Sequence, residues 1–561
     1  MKYDAMVKDK ETVRNYEGAT AYVMTPEMEL YTAVVTASLS DTYYESTDAR
    51  LKRISELVGQ VAPEFVARLA VYTRTEMHLR SIPLLLLVEL AAIHNGDDLV
   101  ARAVEKSVLR ADEIMELLTC YQLRAPVGNS AQGLVNGPLG PLGTLATNGT
   151  QECSMVNVQC SMETPLPRRA RIGGKRLNRL SHQLQNGLKR AFNRFDEYQF
   201  AKYDRSSLEV KLRDALFLVH PKAKDEAQQQ LFDKIANRQL KTPYTWETEL
   251  SALGQQPFAT PEERREAFCR KWEELVLSGQ MGYMALMRNL RNMLQMGVSP
   301  SVIEHVAARL ADEEEVKQSK QLPFRYLSAY RELSQPSSDG AGTPAPSGGG
   351  VVERLLSALE TAVRHSAKNI EGFDEGTRVL VAADVSGSMW RPISPRSTVN
   401  YYDIGLLMAM IMRSRCKQVV TGIFGDEWKV VDMPSDNILM ATQQLKTLAN
   451  TVGLSTNGYK VVEWLIENRV VVDKMMMFTD MQLWDSTEEG KEFQRSWRHY
   501  RQMAPEAVLY IFDLAGYGQS PLRIAEPGVC LVAGWSDRVF SVLTAIERGS
   551  DAIAVINSVV L

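Results

Sequence analysis

The stretch RVLVAADVSGSM, residues 378–389, constrains the fold more than any other part of the chain. Val379–Ala383 form an unbroken apolar run, followed at once by an acid and two hydroxyls. A strand that is apolar without alternation is buried on both faces, as in a parallel sheet covered by helices. Four later runs have the same character: KQVVTGIFG (417–425), KMMMFTD (474–480), AVLYIFDL (507–514) and GVCLVAG (528–534). Helical stretches alternate with them: NYYDIGLLMAMIMRS, GYKVVEWLIEN, KEFQRSWRHYRQ and WSDRVFSVLTAIERG. Residues 376–561 therefore read as a doubly wound α/β domain of Rossmann-like type.

In such a sheet, ligands sit beyond the carboxyl ends of the strands. Asp384-Val385-Ser386-Gly387-Ser388 lies at that place on the domain's first strand. No GxxxxGK[ST] phosphate loop is present. An aspartyl phosphotransferase would need an acid at Ser386, and a nucleophile elbow would need glycine at Val385. A hard divalent cation fits better, since Mg2+ takes oxygen ligands and keeps some waters. Thr456 in GLSTNGYK and Asp480 in MMMFTD are further oxygen donors beside predicted elements. The alternative is that Ser386 and Ser388 only cap the following segment.

D-x-S-x-S on the first strand, a later Thr in a TN turn and an Asp in FTD resemble the von Willebrand factor A domain and its metal-ion-dependent adhesion site. The resemblance implies that Ser386, Ser388 and Thr456 offer hydroxyls, while Asp384 and Asp480 bind directly or through water. Mg2+ is the expected ion, with Mn2+ or Ca2+ also compatible. A position stays open for an acidic group from a partner.

The first half of the chain has a different grammar. From residue 26 to about 125, segments such as PEFVARLAVYTRTEM and ADEIMELLTCYQL carry apolar positions at three- and four-residue spacing. Pro26, Pro63 and Pro83 fall where helices begin. Short helices joined by short turns suggest an all-α solenoid of stacked pairs. SIPLLLLVELAAI (81–93) is too short to span a bilayer and reads as a buried helix. Residues 127–167, rich in Gly, Asn, Ser and Pro, read as an irregular, poorly ordered insertion. Helices resume from about 175 to 334, and 335–350 is a Ser/Pro/Gly linker. A connecting helix is expected within 351–375.

With 561 residues, one core does not suffice, and two or three domains are expected. The formal charge of −4 neither requires nor excludes nucleic acid. The six cysteines show no zinc or redox spacing and read as reduced thiols. The N-terminal residues show no signal peptide, so a cytoplasmic location is expected.

Basic residues concentrate between Arg168 and Arg213, where thirteen Lys/Arg face four acids. Phe192, Phe195, Tyr198, Phe200 and Tyr203 are interleaved with them. Cations neutralise phosphates and aromatic faces stack unpaired bases, a mixture suited to single-stranded RNA. The spacing of Phe192, Phe195 and Phe200 favours helix core for those three.

The segments YTRTEMHLRSIPLLLLVELA, KRLNRLSHQLQNGLKRAFNRFDEYQFAKYDR, MALMRNLRNMLQMGV and LPFRYLSAY look like the TROVE module. That is the helical ring of the Ro autoantigen family, whose members also end in a von Willebrand A domain. The resemblance spans nearly the whole chain outside the insertion and the linker. It implies a HEAT-like ring over 1–334 that binds Y RNA on its outer basic face and takes the single-stranded 3′ end of misfolded RNA. Bacterial relatives act with an exoribonuclease in RNA quality control.

Arg80, Lys175, Arg176, Arg179, Lys189, Arg190, Arg194, Lys202, Lys211, Arg213, Arg288 and Arg291 are the candidate RNA contacts. The Ser-His-Lys-Asp sequence of animal members corresponds to VKLRD, which keeps Lys211 and Arg213 but lacks the histidine. Phosphate contact survives that change, whereas animal-type Y RNA recognition loses one specific contact. The competing function is a metal-dependent protein–protein assembly module with the helices as scaffold. No nucleophile with its activator supports an enzyme.

Overall fold

The computed structural model describes residues 12–14, 20–37, 45–123, 169–172, 175–204, 209–319, 321, 323–334, 349–367, 373, 375–393, 397–431, 438–440, 448, 451–483, 492–522, 528–534 and 552–561. The proposed insertion 127–167, nearly all of the linker 335–350 and the expected helix 535–549 lie outside the described residues, as does the residue pair 173–174.

In chain order the helices are α1 (Pro26–Val35), α2 (Thr47–Val58), α3 (Pro63–Thr75), α4 (Ser81–Ile93), α5 (Leu99–Ser107), α6 (Ala111–Leu123), α7 (His182–Phe192), α8 (Glu197–Tyr203), α9 (Leu212–Val219), α10 (Glu226–Asn237), α11 (Trp246–Gly254), α12 (Pro261–Leu277), α13 (Tyr283–Arg288), α14 (Leu290–Met296), α15 (Pro300–Ala311), α16 (Glu313–Ser319), α17 (Pro323–Ser334), α18 (Gly349–Ala367), α19 (Tyr401–Arg415), α20 (Tyr459–Glu467), α21 (Glu492–Met503) and α22 (Ala552–Asn557). The strands are β1 (Thr12–Arg14), β2 (Thr20–Val23), β3 (Arg169–Ile172), β4 (Lys175–Asn178), β5 (Arg378–Asp384), β6 (Gln418–Phe424), β7 (Trp428–Val430), β8 (Lys474–Thr479), β9 (Val508–Asp513), β10 (Gln519–Ser520) and β11 (Val529–Ala533). No helix among the described residues is long and apolar enough to cross a membrane.

The chain packs as two compact units, each discontinuous in sequence. Residues 46–243 with 556–561 form a helical unit built on α2–α10. Proline sits in the first turn of α3, where its missing N–H has no intrahelical role. Helix α4 is apolar on all sides and is buried from Ile82 to Ala91, with Glu89 accepting a hydrogen bond from Ser55 Oγ at 3.1 Å. Helices α5 and α7 pack closely at Gly187, where a Cβ would stand 2.7 Å from Val104 Cβ. The last residues of the chain join this unit: Arg68 Nη1 donates to the carbonyls of Asn557 and Val559.

Residues 1–45 with 244–555 form the second unit. Its sheet has the order β11-β9-β8-β5-β6-β7, parallel throughout except for the antiparallel edge strand β7. All five strands expected from continuous apolar runs are present, and β5 lies in the interior of the sheet with β8 and β6 beside it. Helix α19 covers β5 at Gly405, where a Cβ would stand 2.8 Å from Ala383 Cβ. Helices α11–α18 and the described N-terminal segment pack in the same unit as this sheet. Strands β1 and β2 form a small antiparallel sheet with β10. Helix α1 lies against the ends of β9 and β11, with Gly516 at φ +67° facing Thr36 and Gly534 facing Val35.

Candidate cation site and nucleic-acid interface

Parallel strands that end together aim their last side chains at one edge, and β5 and β8 do so with Asp384 and Thr479-Asp480. Asp384 is fully buried. Its Oδ1 accepts from the Ser386 amide at 2.9 Å, and its Oδ2 accepts from the Thr479 hydroxyl at 2.7 Å. The hydroxyls of Ser386 and Ser388 lie 3.4 Å apart. Ser386 precedes the 3-10 turn Gly387–Trp390, but its side chain makes no capping bond there. Capping therefore does not account for Ser386.

Thr456 and Asp480 meet through Gln482. Thr456 Oγ1 donates to the Gln482 carbonyl at 2.8 Å, and the Gln482 amide donates to Asp480 Oδ1 at 3.1 Å. Between them Met481 is buried at φ +68°, a left-handed conformation that is strained for a bulky side chain. Its amide donates to Thr479 Oγ1 at 3.2 Å.

A second clamp fixes the Thr456 loop. Asp426 Oδ1 accepts from the Ser455 amide at 2.8 Å, and Asn457 Nδ2 donates to the Asp426 carbonyl at 3.0 Å. Gly453, at φ +79°, leaves the space that the Asp426 carboxylate fills. The Ser455 hydrogen bond holds that carboxyl below its ordinary range.

Burial, and then the negative charge of Asp480, push the Asp384 carboxyl well above the ordinary range, against the pull of Ser386 and Thr479. Two buried carboxylates side by side either hold a proton between them or need compensating positive charge. The donors nearby are carboxylate and hydroxyl oxygens, which suit a hard divalent cation. Among the described residues, no group of three or more His, Cys, Asp or Glu gathers as a metal cluster, so a cation here would rest on two carboxylates helped by hydroxyls. The donor set fits a hard divalent cation.

The basic candidates separate by environment. Arg80 is held by Asp112 at 2.8 Å, Glu116 at 3.4 Å and Glu113 at 3.7 Å, with its side chain 18% exposed. Its guanidinium completes an internal ion-pair network. Arg194 closes the end of α5 by donating to the carbonyls of Glu105 and Val108. Arg190 pairs with Glu105 at 2.9 Å, but both side chains reach solvent. Arg179, Lys202 and Arg213 are exposed, whereas Lys189 and Lys211 are half-buried. Lys175 and Arg176 lie on β4, but their side chains lie outside the described residues.

In the second unit Arg288 is exposed and Arg291 lies 3.6 Å from Glu332. Arg325, which the sequence did not single out, stands in the electrostatic field of Arg288. Burial and then that neighbouring charge lower its pKa.

The aromatics divide as their spacing predicts. Phe192, Phe195 and Phe200 are core, with Phe192 and Phe200 stacked at 5.7 Å between centroids. Tyr198 is exposed beside Lys202, and Phe217 is exposed beside Arg213. Phe217 lies in the apolar run ALFLV, and only its place on the helix face reveals its exposure.

The family model described as TROVE domain matches residues 23–267 and 236–339, and the model described as Ro60 vWA domain matches 378–546. Telomerase protein component 1 of Mus musculus is 33% identical over 132 residues, covering 23% of this chain and 4% of that protein. RNA-binding protein RO60 of Caenorhabditis elegans is 24% identical over 280 residues, covering 50% of this chain and 42% of that protein. This chain therefore spans less than half the length of these relatives. The crystal structure of the Deinococcus radiodurans RO (RSR) protein shares the fold at a TM-score of 0.56 and 18% identity, covering 94% of this chain and 100% of that one. The TROVE match spans more than half of the sequence, and this chain belongs to the TROVE family in its Ro60-like form with a C-terminal von Willebrand factor A domain.

Proposed function

We propose that the chain is an RNA-binding protein of the Ro type, one that binds RNA rather than transforming it. Its ligands on this reading are small non-coding RNAs, either Y-like or misfolded with a single-stranded 3′ end, carried in ribonucleoprotein complexes for RNA quality control. An exoribonuclease would be the partner that processes what this chain holds. The observation that carries the reading is the sorting of charge from Arg179 to α9. Arg179, Lys202 and Arg213 reach solvent in a segment with a large cationic excess, while the aromatic core beneath them is apolar. Exposed cations in excess over acids attract phosphates and gain affinity by releasing counterions. The names of the relatives, RNA-binding protein RO60 and telomerase protein component 1, accord with that ligand class.

In the α/β domain, Asp384, Ser386, Ser388, Thr456 and Asp480 would hold a divalent cation, Mg2+ above all. When bound, that ion supplies an electrophilic centre able to take an oxygen from a partner. Asp384 and Asp480 supply the negative charge. The Gln482 carbonyl accepts a hydrogen bond from the Thr456 hydroxyl, which would orient that oxygen as a ligand for a cation.

The test is RNA affinity as a function of salt. Arg179→Ala combined with Lys202→Ala should flatten the log–log slope by about 1.4, at roughly 0.7 per phosphate contact for single strands. An unchanged affinity and slope would overturn the assignment of RNA to this face.

A further inference from the structure

Helix α9 buries Leu212, Ala215, Leu216, Leu218 and Val219, a broad apolar face. Its opposite stripe would ordinarily be polar, yet it carries Phe217, which is 38% exposed. Four residues earlier on that stripe, the Arg213 guanidinium lies 5.5 Å from the Phe217 ring centroid. Helix α8 repeats the arrangement. It buries Phe200, exposes Tyr198 at 48%, and places Lys202 Nζ 5.7 Å from the rings of both Tyr198 and Tyr203. Helices α8 and α9 both pack on α6. The end of α8 also lies near the start of α9. Burial raises the pKa of Asp204, which closes α8, while the charges of Arg238 and Lys211 oppose that rise.

An exposed ring with a cation beside it offers two kinds of surface to a nucleic acid. The ring and the guanidinium present flat faces on which an unpaired base can stack, and the cation meets the adjoining phosphate. Paired bases are already stacked in their helix and gain nothing from such a face. The pairing of aromatic and cation on α8 and again on α9 therefore favours a single strand over a duplex.

We infer that Phe217 with Arg213, and Tyr198 with Lys202, are stacking sites for unpaired nucleobases of a single-stranded RNA. The inference rests on the RNA-binding reading and deepens it, because it names which aromatics meet bases. The competing account is local: residues four apart on a helix attract each other whether or not a ligand exists.

The experiment uses the full chain and two probes of about ten nucleotides, a single strand carrying one 2-aminopurine and a blunt RNA duplex. Stacking quenches 2-aminopurine fluorescence. Phe217→Leu keeps apolar bulk and removes the flat ring, so it should lower single-strand affinity roughly tenfold and relieve the quenching. Duplex affinity, salt slope and melting temperature should stay as in the unaltered chain. Phe217→Trp should restore both affinity and quenching. If the unaltered chain binds both probes and Phe217→Leu changes neither affinity nor quenching, the stacking inference falls alone. If the unaltered chain binds neither probe, the RNA reading falls and takes the stacking sites with it.

Discussion

Arg331 and Asp403 meet fork to fork, with Nη1 and Nη2 each 2.6 Å from a different carboxylate oxygen, and both residues are buried. Asp403 also accepts from the Asn400 amide at 2.7 Å, and Arg331 donates to the Thr398 carbonyl at 2.8 Å. The pair joins α17, in the helical stretch matched by the TROVE model, to α19, which covers the strand ending in Asp384. Removing one member leaves the other charge buried, which costs more than the pair itself contributes. Arg331→Met should therefore lower unfolding free energy by about 3–5 kcal/mol in urea titrations. Adding Asp403→Leu should recover a large part of that loss. If the single replacement is neutral, the pair is not the buried tie that its geometry indicates.

Cation binding and RNA binding should separate by mutation, because their residues lie on different elements. Magnesium at a hundred times its dissociation constant should stabilise the unaltered chain by about 2.7 kcal/mol. Asp480→Asn keeps the shape but removes one of the two charges that face the ion, and should abolish that gain in thermal melts with Mg2+ against EDTA. RNA affinity of the same variant should be unchanged. A stabilisation by Mg2+ that survives Asp480→Asn would move the ion elsewhere.

The α/β architecture was legible because strands buried on both faces write themselves as uninterrupted apolar runs. Strand β7 was not, since Trp428–Val430 is short, partly exposed and lies at an edge. The β1–β2 hairpin was also missed. It pairs with the two residues Gln519–Ser520, and a contact between such distant segments leaves no local signal. In the candidate site, Asp384 and Asp480 could be picked out by their places at strand ends, and Thr456 by its turn before a helix. Gln482 and Asp426 could not, because they act through main-chain bonds to residues far along the chain. For the cations, sequence counts charges but not their partners. Arg80 looks like Lys202 and Arg213 until Asp112, Glu113 and Glu116 are seen beside it.

Glu360 gives a pH dependence with a definite sign. It is buried on α18 and accepts from the amides of Leu439 at 3.0 Å and Met440 at 3.0 Å. Burial raises its pKa above 4.5, and the amides only partly offset that. The folded state therefore binds a proton more tightly than the unfolded state does. This contribution to stability is present below pH 4.5 and is lost as pH rises through the raised folded value. Glu360→Gln should remove that fall, which unfolding measured at a series of pH values will show as a flatter profile. A profile that is the same with Gln would mean that Glu360 is not the source.

Gly453 tests whether the Thr456 loop needs its clamp. A Cβ at this position would stand 2.0 Å from Asp426 Oδ2, and φ is +79°, so alanine is both crowded and strained there. The carboxylate cannot move aside without releasing the Ser455 amide, whose neighbour is Thr456. Gly453→Ala should therefore cost more than about 1 kcal/mol and weaken Mg2+ binding, even though alanine touches no cation ligand. Asp426→Ala should also weaken Mg2+ by freeing the loop. Combined with Gly453→Ala, it should lose less than the sum of the two, because the clash is then gone. Strict additivity in isothermal titration with Mg2+ would show that Asp426 and Gly453 act independently, and that the clamp does not position Thr456.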